Sequence, residues 1–283
     1  MADVSPTVRQ RELGKRLRKL RVGLELTVED VAGRLMCSTA KISRLETGAR
    51  PPILRDVRDL CTLYGVDESV AAELMALTRE ARKQGWWTQY EDLDLYPYIG
   101  LEQDAAAITA YSMYHVHGLV QTEDYARTVI SAVLPNIDPV VHRQRVEARL
   151  RRQELLEGQN LPRFRMLLDE AVLHRPVGGP SLMAAQLAKI LDLVKAGRVT
   201  VQVVPFDVGA YSVADISFTL LEFNEPLLSP VVFVEGLAGS QYYERVIDVA
   251  RYRESIDYIR DSALSPRDSV QRMTEMHEAY AAR

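Results

Sequence analysis

Small and basic side chains cluster on one side of a short predicted helix that begins after Ser38 and continues to Leu45. Ile42 and Leu45 recur at helical spacing and form its apolar side. The opposite side carries Ser38, Thr39, Ala40, Lys41, Ser43 and Arg44. Lysine and arginine donate to guanine edges or phosphates, serine and threonine bond either, and alanine contacts a thymine methyl. This face is a candidate surface for contact with double-stranded DNA.

The elements around this helix have the pattern of a helix-turn-helix. Thr27 is placed to cap a preceding helix, and Asp30 three residues later resembles a capping box. A break at Met36-Cys37 separates the two helices, and Ala32 is small enough to let them cross closely. Backbone N–H groups at both helix starts would bind phosphates. A helical packing module without a DNA role is the alternative, and caps, spacing and charge favour DNA binding.

Charge is distributed unevenly along the chain. Residues 1–66 contain 13 Lys and Arg against 8 Asp and Glu, although the 283 residues together have a net charge of −4. The first part is therefore basic and the rest acidic. This asymmetry indicates that the first part meets a polyanion and that the rest does not.

Composition excludes several other classes of protein. Hydrophobic residues make up 47% and charged residues 26%, which is ordinary for globular domains and excludes disorder or a disulfide scaffold for the whole chain. No apolar run approaches the ~18 residues of a membrane span, and no hydrophobic signal segment begins the chain. We therefore expect a soluble, cytoplasmic protein with no membrane partner. Cys37 and Cys61 are expected as small hydrophobes in a reducing compartment.

The order of elements predicts two domains. An N-terminal helix-turn-helix domain of five helices covers residues 1–84, an aromatic linker covers 85–100, and an α+β effector and dimerisation domain covers 101–283. The fold class is mainly α, with a C-terminal part of helices and a small sheet. Predicted helices in this C-terminal part cover 101–111, 122–134, 139–156, 181–196, 244–262 and 265–282. Predicted strands cover 164–168, 199–204, 217–223 and 231–235.

The segment 26–52, LTVEDVAGRLMCSTAKISRLETGARPP, resembles the XRE, or Cro/repressor-type, helix-turn-helix. The resemblance places Arg50 near a phosphate. It also implies that six residues face the DNA: Thr27, Ser38, Thr39, Lys41, Ser43 and Arg44. Val28 departs from the pattern, because many members have a phosphate-bonding glutamine there. Met36 stands where the turn usually has glycine, so a left-handed conformation at Met36 would be strained.

The rest of the chain is similar to the C-terminal module of actinobacterial WhiJ-like, antitoxin-like transcriptional regulators. The similarity is carried, in order, by GWWTQYEDL, YIGLEQDA, GLVQTEDYAR, RVEARLRRQELL, LLDEAVLHRPVGG, VTVQVVPFDVGAY, FTLLEF and VVFVEGL. The chain departs from the pattern at Ser112-Met113, His115 and His117. The resemblance implies DNA-binding transcriptional control, together with a small companion protein encoded nearby. It implies no catalytic residues and no established small-molecule ligand.

Other kinds of site are less well supported. His115 and His117 share a face if extended, but no Cys, Asp or Glu cluster completes a metal site near them. Asp169-Glu170 and His174-Arg175 could form an acid/base pair, but no phosphate loop or nucleophile elbow accompanies them. We therefore expect no metal, no cofactor and no enzymatic activity. The aromatic residues of the linker either anchor it or line a ligand pocket.

Our leading hypothesis is a sequence-specific DNA-binding transcriptional regulator. One recognition helix contacts too few bases for strong discrimination, so we expect a homodimer that binds paired half-sites. The C-terminal domain would dimerise and bind the companion protein. Two alternatives stay open: an antitoxin-like interaction protein that mainly neutralises its small partner, and a regulator that senses a small ligand.

Overall fold

The computed structural model of the protein describes residues 5–90, 96–158, 161–211, 216–224, 228–236 and 239–283. Backbone contacts divide the chain into two compact units. The first comprises Met1–Thr88, Pro97–Asp104 and Asn224–Leu228, and the second comprises Gln89–Tyr96, Ala105–Phe223 and Ser229–Arg283. Residues 91–95 of the predicted aromatic linker lie outside the described residues. In the part of the chain that is described, no helix is both long enough and apolar enough to span a bilayer.

The helices and strands are numbered in chain order. The α-helices are α1 Pro6–Gly23, α2 Val28–Arg34, α3 Thr39–Glu46, α4 Leu54–Tyr64, α5 Glu68–Ala81, α6 Tyr96–Gln103, α7 Glu123–Val133, α8 Pro139–Arg152, α9 Ala171–His174, α10 Pro180–Lys195, α11 Val246–Ser262 and α12 Pro266–Ala281. The strands are β1 Ala107–Ser112, β2 Arg163–Asp169, β3 Thr200–Val204, β4 Phe218–Glu222, β5 Val231–Gly236 and β6 Gly239–Tyr243.

Five helices, α1 to α5, build the first unit around one apolar core. The fully buried members of this core come from every one of these helices: Leu13, Leu17, Val31, Ala32, Ile42, Leu45, Val57, Leu60 and Leu74. Gly65 ends α4 in the left-handed region, at φ 62°, where a residue without Cβ is favoured. The predicted five-helix arrangement is confirmed.

The start of α1 is closed by residues from much later in the chain. Ser5 is buried, and its hydroxyl accepts from the Val8 backbone N–H. The Ser5 backbone N–H donates to Asp104 Oδ2 at 2.7 Å, and its hydroxyl donates to the Gly100 carbonyl at 2.7 Å. A Cβ on Gly100 would lie 2.3 Å from Thr7 Oγ1. The close approach of residue 100 to Thr7 in α1 therefore requires glycine at position 100.

The second unit contains a six-stranded mixed sheet in the order β3-β2-β1-β4-β5-β6. β1 pairs in parallel with β2, and β2 pairs in parallel with β3. The other neighbours pair antiparallel. The side chains of β1 are buried along its whole length, which is typical of a central strand covered on both faces. The predicted fold class, helices together with a sheet, is confirmed.

Helices cover this sheet and also its β3 edge. On one face, Val249, Ile256 and Ile259 of α11 pack with Leu167 and Leu220. At the β3 edge, the Val203 backbone N–H donates to Ser269 Oγ at 2.9 Å, and the Val203 carbonyl accepts from the Leu264 N–H at 2.8 Å. Leu264 in the connection between α11 and α12, and Ser269 in the first turn of α12, therefore satisfy edge groups that would otherwise be open to another strand.

One predicted element is wrong, and one strand was not predicted. The predicted helix over 101–111 ends at Gln103, and Ala107–Ser112 forms the central strand β1. A short run of apolar residues does not distinguish a buried strand from a buried helix by periodicity. Pairing with β2 and β4 decides the outcome. β6 escaped prediction because Gly239–Tyr243 is polar and glycine-containing.

Candidate nucleic-acid interface

The first helix of the helix-turn-helix begins with a complete capping box at Thr27. Thr27 Oγ1 accepts from the Asp30 backbone N–H at 3.0 Å, and the Asp30 carboxylate accepts from the Thr27 backbone N–H at 2.8 Å. The Thr27 hydroxyl and backbone N–H lower the pKa of Asp30 below its usual value. The predicted cap is confirmed. The exposed Thr27 hydroxyl therefore helps to fix the start of α2.

The turn before α3 is left-handed at Met36, a conformation that is strained for a residue other than glycine. Met36 adopts φ 48°, in the left-handed region, and its side chain is 93% exposed. The Cys37 N–H donates to the Ala32 carbonyl at 2.9 Å, which closes the turn. Ser38 then caps α3, since its hydroxyl accepts from the Lys41 N–H at 3.2 Å. Met36 contributes no packing that would offset its conformation.

The outer face of α3 is open to solvent. Ile42 and Leu45 are buried in the core, at 2% and 3% exposure. The exposed residues of the opposite face are Ser38, Thr39, Ala40, Ser43 and Arg44. Arg44 Nε donates to the Ala40 carbonyl at 3.2 Å, so the guanidinium lies along its own helix. The structure therefore brings five of the predicted site residues together on one exposed surface.

Two further predicted residues are half-buried. Lys41 is half-buried, and its Nζ lies 2.7 Å from Asp56 Oδ1 in the first turn of α4. Arg50 is half-buried in the connection that follows α3. The carboxylate of Asp56 neutralises part of the charge that Lys41 would offer to DNA. Neither Asp56 nor its contact with Lys41 was predicted from the sequence.

A buried ion pair fixes the far end of α3. Arg21 Nε lies 2.6 Å from Glu46 Oε1, and Arg21 Nη2 lies 2.9 Å from Glu46 Oε2. The Arg21 side chain also donates to the Leu26 carbonyl at 2.7 Å. The hydrogen bond to Glu46 raises the pKa of Arg21. This two-point contact ties α3 to the end of α1 and to the segment that leads into α2.

The hydroxyl of Tyr64 lies beside this ion pair. Its oxygen is buried and has no hydrogen-bond partner among the described residues. Burial, and then the negative charge of Glu46, raise the pKa of Tyr64. Tyr64 therefore stays neutral and contributes mainly its ring to the core.

Glycine at position 14 allows α1 to approach α3 closely. A Cβ on Gly14 would lie 2.5 Å from the Glu46 carbonyl oxygen and 2.7 Å from that of Leu45. Backbone atoms occupy this space, and they cannot rotate away as the end of a flexible side chain would. No sequence pattern had singled out Gly14, because only the packed helices reveal the close approach.

In the second unit, the carboxylates that were weighed as an acid/base pair make structural contacts. Glu170 is buried and accepts from the Phe206 backbone N–H at 2.9 Å, from His174 and from Arg272. Burial alone would raise the pKa of Glu170, but these hydrogen bonds and the Arg272 charge lower it overall. Asp169 accepts from the Tyr211 hydroxyl. These carboxylates join strand ends to a loop and to α12.

The two histidines suggested as a metal pair have different surroundings. His117 Nδ1 accepts from the Leu119 N–H at 3.3 Å, and its ring packs against Phe164. Burial lowers the pKa of His115, and the charges of Arg175 and Arg149 lower it further. Within the described ranges, no group of three or more His, Cys, Asp or Glu side chains is placed to bind a metal ion.

Comparison with known protein families finds a match for each of the two parts of the chain. A helix-turn-helix domain family matches residues 12–74, which contain α2 and α3. A second family, described as a domain of unknown function (DUF5753), matches residues 95–275. The chain belongs to the DUF5753 family. A helix-turn-helix domain therefore precedes the DUF5753 domain in this chain. No curated protein and no solved structure matches the chain.

Proposed function

We propose that the protein is a sequence-specific, double-stranded DNA-binding transcriptional regulator, and not an enzyme. The observation that carries the proposal is the exposed outer face of α3, whose inner face is anchored by Ile42, Leu45 and the Arg21–Glu46 pair. A recognition helix must be rigidly seated and must present small or donor side chains to enter the major groove. α3 meets both requirements.

Each residue of the proposed interface has a chemical role. Arg44 is long, exposed and able to donate two parallel hydrogen bonds to a guanine edge. Lys41 binds guanine or phosphate once it leaves Asp56. Thr27 and Arg50 contact phosphates on either side of the groove. Short contacts to base edges or the T methyl come from Ser38, Thr39, Ala40 and Ser43.

We further propose that the C-terminal domain, residues 101–283, pairs two copies of the chain and docks a small companion protein. Half-sites for such a dimer would lie about 34 Å apart, one turn of the double helix. The support is the acidic character of this part and the resemblance to XRE-type and WhiJ-like, antitoxin-like regulators. DNA binding by the helix-turn-helix domain and companion binding by the C-terminal domain are then separable functions.

Titration of the purified full-length protein on fluorescent DNA from its own upstream region tests the proposal. We expect tight binding to this duplex over a scrambled one, falling steeply with salt. Arg44→Ala and Lys41→Ala should each weaken operator binding about tenfold or more. Lys195→Ala, an exposed lysine at the end of α10, is the matched control and should bind as the wild type does.

Equal, weak binding to both duplexes would contradict operator recognition at this locus. Sedimentation of the same preparation measures the oligomeric state, and a monomer at the concentration of operator saturation would contradict the dimer. Arg44→Ala should leave the oligomeric state and companion binding unchanged, because Arg44 belongs to the helix-turn-helix.

A further inference from the structure

The two edges of the six-stranded sheet differ in what lies beside them. At the β3 edge, Leu264 and Ser269 bond to the backbone of Val203. At the other edge lies β6, which among the described strands pairs with β5 alone. An edge strand presents backbone N–H and C=O groups that another strand can bind. One edge of this sheet is therefore closed, and the other offers a strand for pairing.

The middle of β6 is accessible from outside. Gly239 and Gln241 are exposed, and Ser240 is half-buried. Within the described ranges, no backbone bond joins Ser240 or Gln241 to a segment other than β5. Successive residues of an antiparallel strand direct their backbone groups to opposite sides. One of these two neighbours therefore directs its N–H and C=O away from β5.

β6 lacks the features that usually protect an edge strand. Proteins discourage pairing there with a charged side chain, a proline or a β-bulge. The sequence of β6, Gly-Ser-Gln-Tyr-Tyr, contains no charge and no proline. Its register with β5 runs without a bulge from Val232 opposite Tyr243 to Gly236 opposite Gly239. The edge is therefore regular as well as accessible.

The absence of charge in β6 favours a second copy of the same strand as its partner. When two identical strands pair antiparallel about a twofold axis, a residue at the axis faces its own copy. A charge at that position would always face a like charge, which destabilises the pair. Although the part of the chain after residue 66 is acidic, β6 contains no Asp or Glu. The strand is therefore electrostatically compatible with itself.

Exposed apolar side chains follow directly after this strand. α11 begins three residues after β6 ends, and its first two residues, Val246 and Ile247, are 85% and 59% exposed. Adjacent apolar side chains in solvent are typical of a surface that another protein covers. In strand pairing, backbone bonds join the edges and neighbouring side chains add buried apolar area.

We propose that β6 pairs antiparallel with β6 of a second copy, so that two six-stranded sheets join into one continuous sheet. This inference rests on the homodimer of the proposed function and assigns its interface. Because the β3 edge is closed by Leu264 and Ser269, pairing stops at two copies. The dimer thus needs no contribution from the helix-turn-helix.

Sedimentation equilibrium of the full-length protein tests the pairing. We expect a monomer–dimer equilibrium without larger species. Gln241→Lys should raise the dimer dissociation constant about fivefold or more, because it brings two like charges together near the axis.

Two control variants separate charge at this edge from other effects. Gln241→Thr is the matched control, because it also removes the acceptor of the Tyr243 hydroxyl but adds no charge, and it should dimerise as the wild type does. Thr200→Lys places the same charge on the closed β3 edge, at an exposed position, and should leave the dissociation constant unchanged.

Hydrogen exchange on the wild type supplies a readout that needs no variant. Amides of Gly239–Tyr243 should exchange more slowly above the dimer dissociation constant than below it, because pairing protects those that face outward. Amides of Thr200–Val204 should exchange at the same rate at both concentrations. A folding defect in Gln241→Lys cannot imitate this result.

The outcomes distinguish this interface from the proposed function. A dimer that Gln241→Lys does not weaken, with β6 exchange independent of concentration, would overturn β6 pairing and leave the proposed homodimer in place. A monomer at every concentration would overturn both, and would leave the edge to a strand of another protein. Assembly beyond two copies would overturn the closed β3 edge and the pairing scheme built on it. Operator binding is measured separately and decides none of these outcomes.

Discussion

Arg21 and Glu46 lie 25 residues apart in the chain and form a bidentate, buried ion pair that joins α1 to the end of the recognition helix α3. The pair occupies one end of the helix, and the capping serine Ser38 occupies the other. The outer face of α3 is thereby held in one orientation.

Glu46→Gln should lower the free energy of unfolding of the first unit by about 3 kcal/mol, because it leaves the buried Arg21 charge without its partner. Urea unfolding followed by tryptophan fluorescence measures this, since the two tryptophans, Trp86 and Trp87, both belong to the first unit. The double variant Arg21→Met/Glu46→Leu should recover much of the loss, since it removes both charges. Wild-type stability of Glu46→Gln would contradict the role of the pair.

Gly14→Ala should destabilise the first unit by about 2 kcal/mol or more, because overpacking forces the α1 and α3 backbones apart. Gly33→Ala in α2 is the control, since a Cβ there meets nothing within 4 Å. That control should be neutral or stabilising by up to about 1 kcal/mol, as alanine favours a helix over glycine. Equal melting temperatures for the two variants would show that α1 tolerates the displacement.

Met36→Gly should raise the free energy of unfolding by about 1 kcal/mol. Glycine adopts the left-handed conformation of this turn without the steric cost that Met36 bears. The exposed methionine side chain loses no packing when it is removed. Met36→Ala keeps the strained backbone and should be close to the wild type in a thermal melt. A loss of stability in Met36→Gly would mean that the entropy of the unfolded chain outweighs the strain.

Asp56→Asn should increase affinity for operator and scrambled DNA alike, because it releases Lys41 from a 2.7 Å ion pair. One additional phosphate contact steepens the plot of log affinity against log salt by about 0.9. The ratio of specific to non-specific affinity should therefore stay unchanged. Asp59→Asn, one turn further along α4, is the control and should change neither quantity. If both aspartate variants raise DNA affinity equally, the loss of a negative charge, and not the release of Lys41, causes the increase.

Acid should destabilise the second unit through His115. Its folded-state pKa is lowered by burial and by the flanking charges of Arg175 and Arg149, below the ordinary value of 6.5. The unfolded chain then binds more protons, so this loss of stability is absent above pH 6.5 and grows as pH falls toward the folded pKa. His115→Gln should flatten the pH dependence of the melting temperature below 6.5. An unchanged slope would assign the acid sensitivity to other groups.

Local chemistry made part of the interface predictable. The caps at Thr27 and Ser38 depend on neighbours within a few residues, and both occur as predicted. Which residues of α3 are buried followed from helical spacing. The roles of these residues toward DNA stay predictions.

Contacts between distant segments were not predictable in the same way. The partners Arg21 and Glu46, and Lys41 and Asp56, are decided by how helices pack, and no local pattern encodes that choice. The predicted helix over 101–111 is wrong for a related reason. Ala107–Ser112 is a strand because it pairs with β2 and β4. Sequence patterns therefore predict the bounds and the exposed face of α3 better than the contacts that hold α3 in place.

The hydrogen bonds at the start of α1 affect the order in which the first unit can be completed during synthesis. Its buried start, Ser5, bonds to Gly100 and Asp104, which lie 95 and 99 positions further along the chain. At translation rates of about 5–20 residues per second, roughly 5 to 20 seconds separate the emergence of Ser5 from that of these partners. The ribosome thus synthesises α1 to α5 before the residues that close the start of α1 exist.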